Sequence, residues 1–164
     1  MRFAPVRRER LRDLEQFSAT HGKFRYCSCM RWRLTSSEMH CSTKESRIGA
    51  LAGLVRRDIP VGVLAYLGRV PVGWCSIAPR ATYAGLERYR ALPRLDQEPV
   101  WSVVCFFVDR AARRQQLSLG LLKAAVQYAQ SQGAKIIEGY PVEPGSRLYA
   151  YMGIALDVPR GGIP

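Results

Sequence analysis

The sequence predicts a single α/β (α+β) domain, a mixed sheet flanked by helices, and two patterns carry this prediction. Apolar runs at 60–67 and 70–78 are separated by a Gly-Arg pair, which is typical of an antiparallel hairpin. Between residues 100 and 140, an apolar run, a helical pattern and a second apolar run follow one another, which requires a parallel pair with a crossover helix. The 164 residues, 48% of them hydrophobic, suit one core.

The first part of the chain predicts one strand and two helices. Residues 2–5 form a short strand, and apolar residues then recur at helical spacing among Arg and Glu over 6–17. Ser42 is followed three residues later by Glu45, the pattern of a capping box. Apolar residues after it share one helical face, so we expect a second helix over 43–57.

The second part predicts the centre of the sheet. Residues 79–99 mix Arg, Tyr and Pro with little periodicity, which indicates a long connection with at most a short helix. The run VWSVVCFFV at 100–108 is almost wholly apolar, so we expect an interior strand covered on both faces. A helix over 117–132 ends near Gly133, and residues 134–140 form the last strand.

The formal charge is +12, from 25 basic and 13 acidic residues, so the surface should attract anions such as nucleic acid, phosphorylated cofactors or acidic partners. A basic nucleic-acid-binding protein stays an alternative, but no helix interleaves basic and aromatic residues on one face, so we expect no nucleic acid partner. The N-terminus lacks the apolar core of a signal peptide and no apolar run approaches about 20 residues. These patterns predict a cytoplasmic protein without a membrane partner.

Five cysteines, an odd number, favour reduced thiols in that compartment. Two of them, Cys75 and Cys105, lie in apolar segments, where free thiols behave as small hydrophobic groups. The C-x-C and His-Cys spacings elsewhere differ from common zinc sites, so we expect no metal. The set that could in principle ligate zinc is Cys27, Cys29, His40 and Cys41.

The segment VDRAARRQQLSLGLL, residues 108–122, joins the central strand to a helix and carries three arginines, Arg110, Arg113 and Arg114. Ligands of open α/β sheets bind at such strand ends, and the free N–H groups at the start of a helix favour phosphate there. The sequence therefore predicts an anion site, with a solvated helix start as the alternative.

The order of these elements resembles the GNAT superfamily of N-acetyltransferases over roughly residues 2–141. Within it, the chain is similar to a bacterial group marked by a CxCM-x-WR segment, here residues 27–33, followed by PVGWCSIAPR, PVWSVVCFFV and IEGYP. The resemblance implies one acyltransferase domain over 1–164 with an irregular tail at 145–164. It also implies acetyl-CoA as co-substrate and an amine of a small molecule or a protein as acceptor.

The same resemblance implies the donor site. The backbone of Phe106, Phe107 and Val108 would receive the acetyl carbonyl and the pantetheine arm, as if the cofactor were an extra strand. Arg113 matches the family pattern in the pyrophosphate loop, whereas Gln116 stands in place of a glycine and raises the question of crowding. The amides expected to hold the pyrophosphate are those of Arg113, Arg114, Gln115, Gln116, Leu117 and Ser118.

GNAT catalysis is a direct attack of the amine on the thioester, which needs positioning, a proton acceptor and stabilisation of the oxyanion. The resemblance makes Glu138 the candidate general base, with a structural carboxylate as the alternative. Tyr149 and Tyr151 are the candidate acids for the thiolate, ahead of Tyr140, and packing is the alternative for each.

The resemblance further implies a last helix and two strands that the sequence after Pro141 does not show. We therefore expect a C-terminally shortened form of the fold, which leaves a swapped homodimer open. A catalytically impaired module that binds CoA or a partner is the alternative function. Acceptor specificity in this fold depends on variable loops, so the sequence does not identify the amine.

Overall fold

The computed structural model describes residues 1–21, 29–113 and 116–141. Within them, five strands form one sheet in the order β1-β2-β3-β4-β5. The first four strands pair antiparallel and β4 pairs parallel with β5, so the predicted mixed sheet is confirmed. The strands are β1 (Arg2–Pro5), β2 (Val63–Leu67), β3 (Val70–Pro79), β4 (Val100–Val108) and β5 (Ile136–Gly139).

The helices mostly fall where the apolar periodicity predicts them. The helix expected over 6–17 begins only at Leu11, after a 3₁₀ turn at Arg8–Arg10, and the expected connection at 79–99 contains a 3₁₀ turn at Arg80–Thr82 and one short helix. A six-residue helix at Ser36–Cys41 was not predicted because it is too short to show a period. The helices are α1 (Leu11–Thr20), α2 (Ser36–Cys41), α3 (Lys44–Arg56), α4 (Ala84–Glu87) and α5 (Leu117–Ser131).

The capping box of α3 lies one residue later than predicted. Thr43, not Ser42, accepts a hydrogen bond from the backbone N–H of Ser46 at 3.1 Å, and the Ser46 hydroxyl accepts one from the Thr43 N–H at 2.9 Å. Ser42 instead ends α2, where its hydroxyl donates to the Met39 carbonyl. Serine and threonine can both cap a helix, but Ser42 is already the C-cap of α2, so Thr43 caps α3.

Two apolar layers cover the sheet. Helix α5 packs on one face against side chains of β2, β3 and β4, while α1 and α3 cover the other face. Two glycines permit the close approach of α5: a Cβ at Gly73 would lie 3.2 Å from Leu117, and one at Gly120 would lie 2.6 Å from the Phe3 ring. These close contacts fix the position of the N-terminus of α5 relative to the end of β4.

The long predicted strand at 100–108 is β4 itself, with both faces largely buried. It lies inside the sheet, between β3 and β5. Among the described residues, no helix combines the length and apolar character needed to cross a bilayer. Residues 142–164, where the irregular tail and the missing strands were expected, lie outside the described part.

Candidate functional site

Among the described residues, strand β4 has an open edge over its second half. Strand β5 pairs only with Val100–Val103 of β4. On the other side, β3 follows β4 to Val108, with a β-bulge that leaves Val104 without a register partner between Val103 and Cys105. A bulge bends its strand and increases the local twist. Residues 105–108 of β4 are therefore paired with β3 on one side, and residues 104–108 have no strand partner from β5 on the other.

The alternation of the ladder shows which peptide groups face this open edge. The N–H of Asp109 donates to the carbonyl of Val72 at 2.8 Å, which continues the ladder between β3 and β4. Residues in an antiparallel ladder alternate between facing the partner and facing away. The peptide groups of Phe107 therefore face β3, and those of Phe106 and Val108 face away from it. This edge can accept an extended ligand as an additional strand.

The side chains of these three residues pack on the two faces of the sheet. Phe106 and Val108 are buried in the cluster under α5. Phe107 points to the opposite face, where its ring makes edge contacts with Phe17 and His21. The side chains predicted as cofactor-binding are thus packing groups that hold the edge in place, so a ligand at this edge would contact the backbone of Phe106 and the N–H of Val108.

The corner after β4 combines a cation with the start of α5. A 3₁₀ turn at Arg110–Ala112 follows the strand, and the Arg113 guanidinium returns to donate from Nε to the Val108 carbonyl at 3.2 Å. Gln116 then precedes α5 with φ +53° and ψ +14°, the left-handed conformation that glycine adopts most readily. The first amide groups of α5 have no partner within the helix and so can bind an anion.

The other residues predicted to bind the pyrophosphate differ in burial, and two of them are not described by the structure. Leu117 is buried in the core under α5, so only its backbone can serve a ligand. Ser118 is exposed on the first turn of α5. Arg114 and Gln115 lie outside the described residues.

A histidine that the sequence did not single out holds this corner to α1. His21 Nε2 lies 2.9 Å from Asp109 Oδ2, and its ring stacks on Phe17. Asp109 Oδ1 accepts the Ala111 N–H at 3.0 Å. That backbone hydrogen bond, followed by the contact with His21, holds the pKa of Asp109 below its ordinary value. A charged carboxylate therefore shapes the first turn of the corner.

Glu138, the predicted general base, lies on β5 opposite Ser102, two residues before the bulge. Its Oε1 accepts hydrogen bonds from the Ser102 hydroxyl, from Tyr140 Oη at 2.6 Å and from Arg80 Nη1 at 3.0 Å. All three hydrogen bonds converge on one oxygen, Oε1. The structure thus places Glu138 beside the open edge and also pairs it, partly exposed, with the buried Arg80.

Arg80 is the centre of this cluster, and sequence analysis missed it. Its side chain is 2% exposed, and besides Glu138 it donates from Nε to Glu87 at 3.1 Å and from Nη2 to the Leu92 carbonyl at 2.6 Å. Arg94 pairs with the same Glu87 through two hydrogen bonds of 2.9 Å. A buried cation needs such partners. Arg80 therefore ties the connection at 79–99 to β5.

These contacts shift the ionisation of Glu138 and Tyr140 in opposite directions. Burial by itself raises the pKa of Glu138, but the hydrogen bonds from Ser102, Tyr140 and Arg80 outweigh burial and hold it below its ordinary value. Burial, reinforced by donation to Glu138, raises the pKa of Tyr140. At neutral pH the carboxyl is ionised and the phenol is neutral.

Within the described part of the chain, the structure does not place the remaining predicted groups in this site. Tyr149, Tyr151 and Cys27 lie outside that part of the chain. Cys29 is buried and accepts a hydrogen bond from the Trp74 indole at 2.8 Å, whereas Cys41 is exposed. Over 1–21, 29–113 and 116–141, no group of three or more His, Cys, Asp or Glu side chains is arranged to hold a metal ion.

Comparison with known proteins identifies a family. The profile of the acetyltransferase (GNAT) family matches residues 25–153. No curated protein sequence matches the chain.

Solved structures share the fold at low sequence identity. A probable acetyltransferase is 22% identical, with 100% of this chain and 97% of that chain covered and a TM-score of 0.54. A GCN5-related N-acetyltransferase from Ralstonia eutropha JMP134 is 13% identical, with 99% and 97% covered and a TM-score of 0.54. The aminoglycoside N-acetyltransferase AAC(6')-Iy in complex with CoA is 12% identical, with 87% and 77% covered and a TM-score of 0.54.

Proposed function

The chain belongs to the GNAT acetyltransferase family, and from this premise we propose that it transfers an acetyl group from acetyl-CoA to an amine of a small molecule or a protein. The observation that carries the proposal is the open edge of β4, where the peptide groups of Phe106 and Val108 face away from β3. An extended pantetheine arm presents amide groups that can pair with such an edge.

The donor would lie along β4 with its phosphates at the corner. Arg113 supplies a cation, and the first amides of α5 supply donors for the pyrophosphate. The left-handed backbone at Gln116 supports this arrangement, because glycine, the residue of the family pattern at this position, adopts that conformation most readily. The Gln116 side chain is exposed, so it need not occupy the path of the backbone turn.

The proposed reaction is a direct acyl transfer. The acceptor nitrogen forms a bond to the acetyl carbon, the bond from that carbon to sulfur breaks, and the CoA thiolate takes a proton. The amine loses the matching proton, so no oxidant or covalent enzyme intermediate is needed. A backbone N–H at the open edge would stabilise the oxyanion, since fixed donors cost no reorganisation during the reaction.

We propose that Glu138 assists deprotonation of the amine, through Oε2 or a water molecule. A carboxylate with a lowered pKa is a weak base, so its main effect would be to attract and orient the ammonium group. Tyr149 and Tyr151 remain the proposed proton donors for the thiolate. Tyr140 is less suited to that role because its hydroxyl already donates to Glu138.

The alternative function, a module that binds CoA without turnover, would use the same edge and corner. The two functions differ only in acetyl transfer. Aminoglycosides are the acceptors named for one of the structural neighbours, and they belong in the panel of amines for this chain.

Isothermal titration with acetyl-CoA, followed by a thiol-release assay across an amine panel, tests the proposal. Binding together with acetylation of at least one amine supports the transferase, and binding without turnover supports the alternative. Tyr149→Phe and Tyr151→Phe should lower kcat if these residues donate the proton, with Tyr140→Phe as the matched variant. No binding at millimolar acetyl-CoA would remove both functions.

A further inference from the structure

The carboxylates around the open edge of β4 are already engaged. Glu138 is paired with Arg80, and both oxygens of Glu87 are bound by Arg80 or Arg94. At the corner, Asp109 is held by His21 and the Ala111 amide. A polycationic amine needs several carboxylates that it can neutralise. Among these three carboxylates, the described residues leave only Oε2 of Glu138 without a hydrogen bond, which serves one ammonium group.

Arg33 is a buried cation close to the bulge of β4. It is 8% exposed, and its guanidinium donates to the neutral oxygens of Thr82 and Pro60. Within the described residues its buried Nε has no hydrogen-bond partner. The guanidinium lies 4.3 Å from the ring centroid of Tyr83, which shares a buried cluster with the bulge residue Val104. The electrostatic field of a buried cation whose partners are neutral oxygens extends further than that of a surface cation, because the protein interior has a low dielectric constant.

The charge of the whole chain has the same sign. The chain has 25 basic and 13 acidic residues, and five of the basic residues but only two of the carboxylates, Glu143 and Asp157, lie in segments 22–28, 114–115 and 142–164. The undescribed segments therefore do not reverse the balance. The remaining exposed carboxylates of the 79–99 connection, Asp96 and Glu98, precede β4 at the end of the strand remote from the corner.

We propose that the acceptor is a small-molecule amine that also carries a carboxylate, and that polycationic amines are poor acceptors. This inference rests on the proposed acetyl transfer and names its substrate class. The paired carboxylates offer no free counter-charge to additional ammonium groups, whereas Arg33 and the surrounding positive potential favour an anionic substituent. A single ammonium group is still oriented by Glu138.

The test compares matched acceptors with saturating acetyl-CoA. The panel contains α-amino acids, the same compounds as their carboxamides, and spermidine as a linear polycation, with thiol release as the readout. We expect kcat/KM to be at least about tenfold higher for the carboxylates than for their amides, and higher again than for spermidine. The difference should shrink in about 0.5 M salt, because exposed charges are then screened.

Surface charge reversal provides a variant that leaves no buried group unpaired. Arg88→Glu, on the exposed end of α4 beside the Tyr89 that contacts Trp32, should narrow the preference for carboxylates. Lys123→Glu changes the net charge equally but lies on α5, over the opposite face, and should leave the preference unchanged.

Equal turnover of acids and amides, or faster turnover of spermidine, would overturn the inference while leaving acetyl transfer intact. An unchanged preference in Arg88→Glu, or an equal change in Lys123→Glu, would also contradict it. Absence of turnover with every amine despite acetyl-CoA binding would reject both this inference and the transferase.

Discussion

Gln116 is a non-glycine residue in a left-handed conformation at the point where a phosphate would approach the backbone. Such a conformation costs on the order of 1 kcal/mol for a side chain with a Cβ. The turn before α5 therefore imposes this conformation on Gln116 despite its cost. Gln116, which stands where the family pattern has glycine, adopts the left-handed conformation that glycine reaches most readily.

Replacing Gln116 with glycine should relieve this strain. We expect Gln116→Gly to raise the free energy of unfolding by up to about 1 kcal/mol, because the lost strain exceeds the added freedom of the unfolded chain. Acetyl-CoA should also bind more tightly if the side chain crowds the phosphate. Urea denaturation and calorimetric titration measure the two effects, and Gln116→Ala, which keeps the Cβ, should give no gain in stability. A loss of stability in Gln116→Gly would contradict the assigned backbone conformation.

Glu138 and Arg80 form an ion pair whose strength depends on pH. The folded state lowers the pKa of Glu138 from its ordinary value of 4.5, so the unfolded state binds more protons in acid. The contribution of Glu138 to stability is therefore present above that value and is lost as the pH falls through the lower folded-state pKa.

Glu138→Gln should reveal this dependence. At neutral pH the variant should lose about 1–3 kcal/mol in the free energy of unfolding, since glutamine accepts a hydrogen bond but does not neutralise Arg80. The difference from the wild-type protein should shrink as the pH falls below about 4.5. Denaturation curves between neutral and acid pH provide the measurement, and a difference that stays constant or widens in acid would contradict the pairing.

At the level of elements, α5 is held against the sheet by close contact at Gly120. Gly120→Ala would place a Cβ 2.6 Å from the Phe3 ring, and either the ring or the helix must move. We expect a loss of about 1–3 kcal/mol in the free energy of unfolding from overpacking, and weaker acetyl-CoA binding if α5 shifts at the corner.

Gly49→Ala is the matched control for this prediction. Gly49 is exposed within α3, and a Cβ there would meet nothing within 4 Å. The same substitution should therefore gain about 0.5–1 kcal/mol through helix propensity. Phe3→Leu combined with Gly120→Ala should recover part of the loss. If both glycine substitutions changed thermal stability in the same direction, the steric explanation would be wrong.

Local patterns predicted most of the elements because they depend on near neighbours in the chain. Strand β4 agrees with its predicted range of 100–108, since an apolar run of that length has few alternatives. The bulge at Val104 could not be predicted, because a change of face leaves no mark in a strand that is apolar on both sides. The bulge and the short β5 together create the open edge, which the resemblance implied and the apolar pattern did not show.

Arg80 shows why the polar part of the site was missed. Its partners Glu87, Leu92 and Glu138 lie 7, 12 and 58 positions further along the chain, and only the tertiary fold brings them together. A single arginine after an apolar strand is an ordinary surface residue in a sequence. His21 and Asp109, separated by 88 positions, were missed for the same reason.

At the scale of the whole molecule, the charge of +12 should influence donor binding. CoA carries several phosphate charges, so we expect the Kd for acetyl-CoA to rise several-fold as salt increases from about 0.05 to 0.3 M. Arg113→Ala should reduce the steepness of this salt dependence, because the corner loses a cation, whereas Lys123→Ala should change it little. Calorimetric titration at graded salt measures the Kd. A Kd independent of salt would contradict a role of the positive charge in donor binding.

The proposed function depends on acetyl-CoA pairing with the open edge of β4 as an added strand. Amide hydrogen exchange measured by NMR, with and without saturating acetyl-CoA, tests this pairing at single residues. We predict slower exchange of the Phe106 and Val108 amides on binding, with little change at Phe107, whose peptide groups already face β3. If acetyl-CoA binds while the exchange of Phe106 and Val108 stays the same, the cofactor lies elsewhere and the proposed site is wrong.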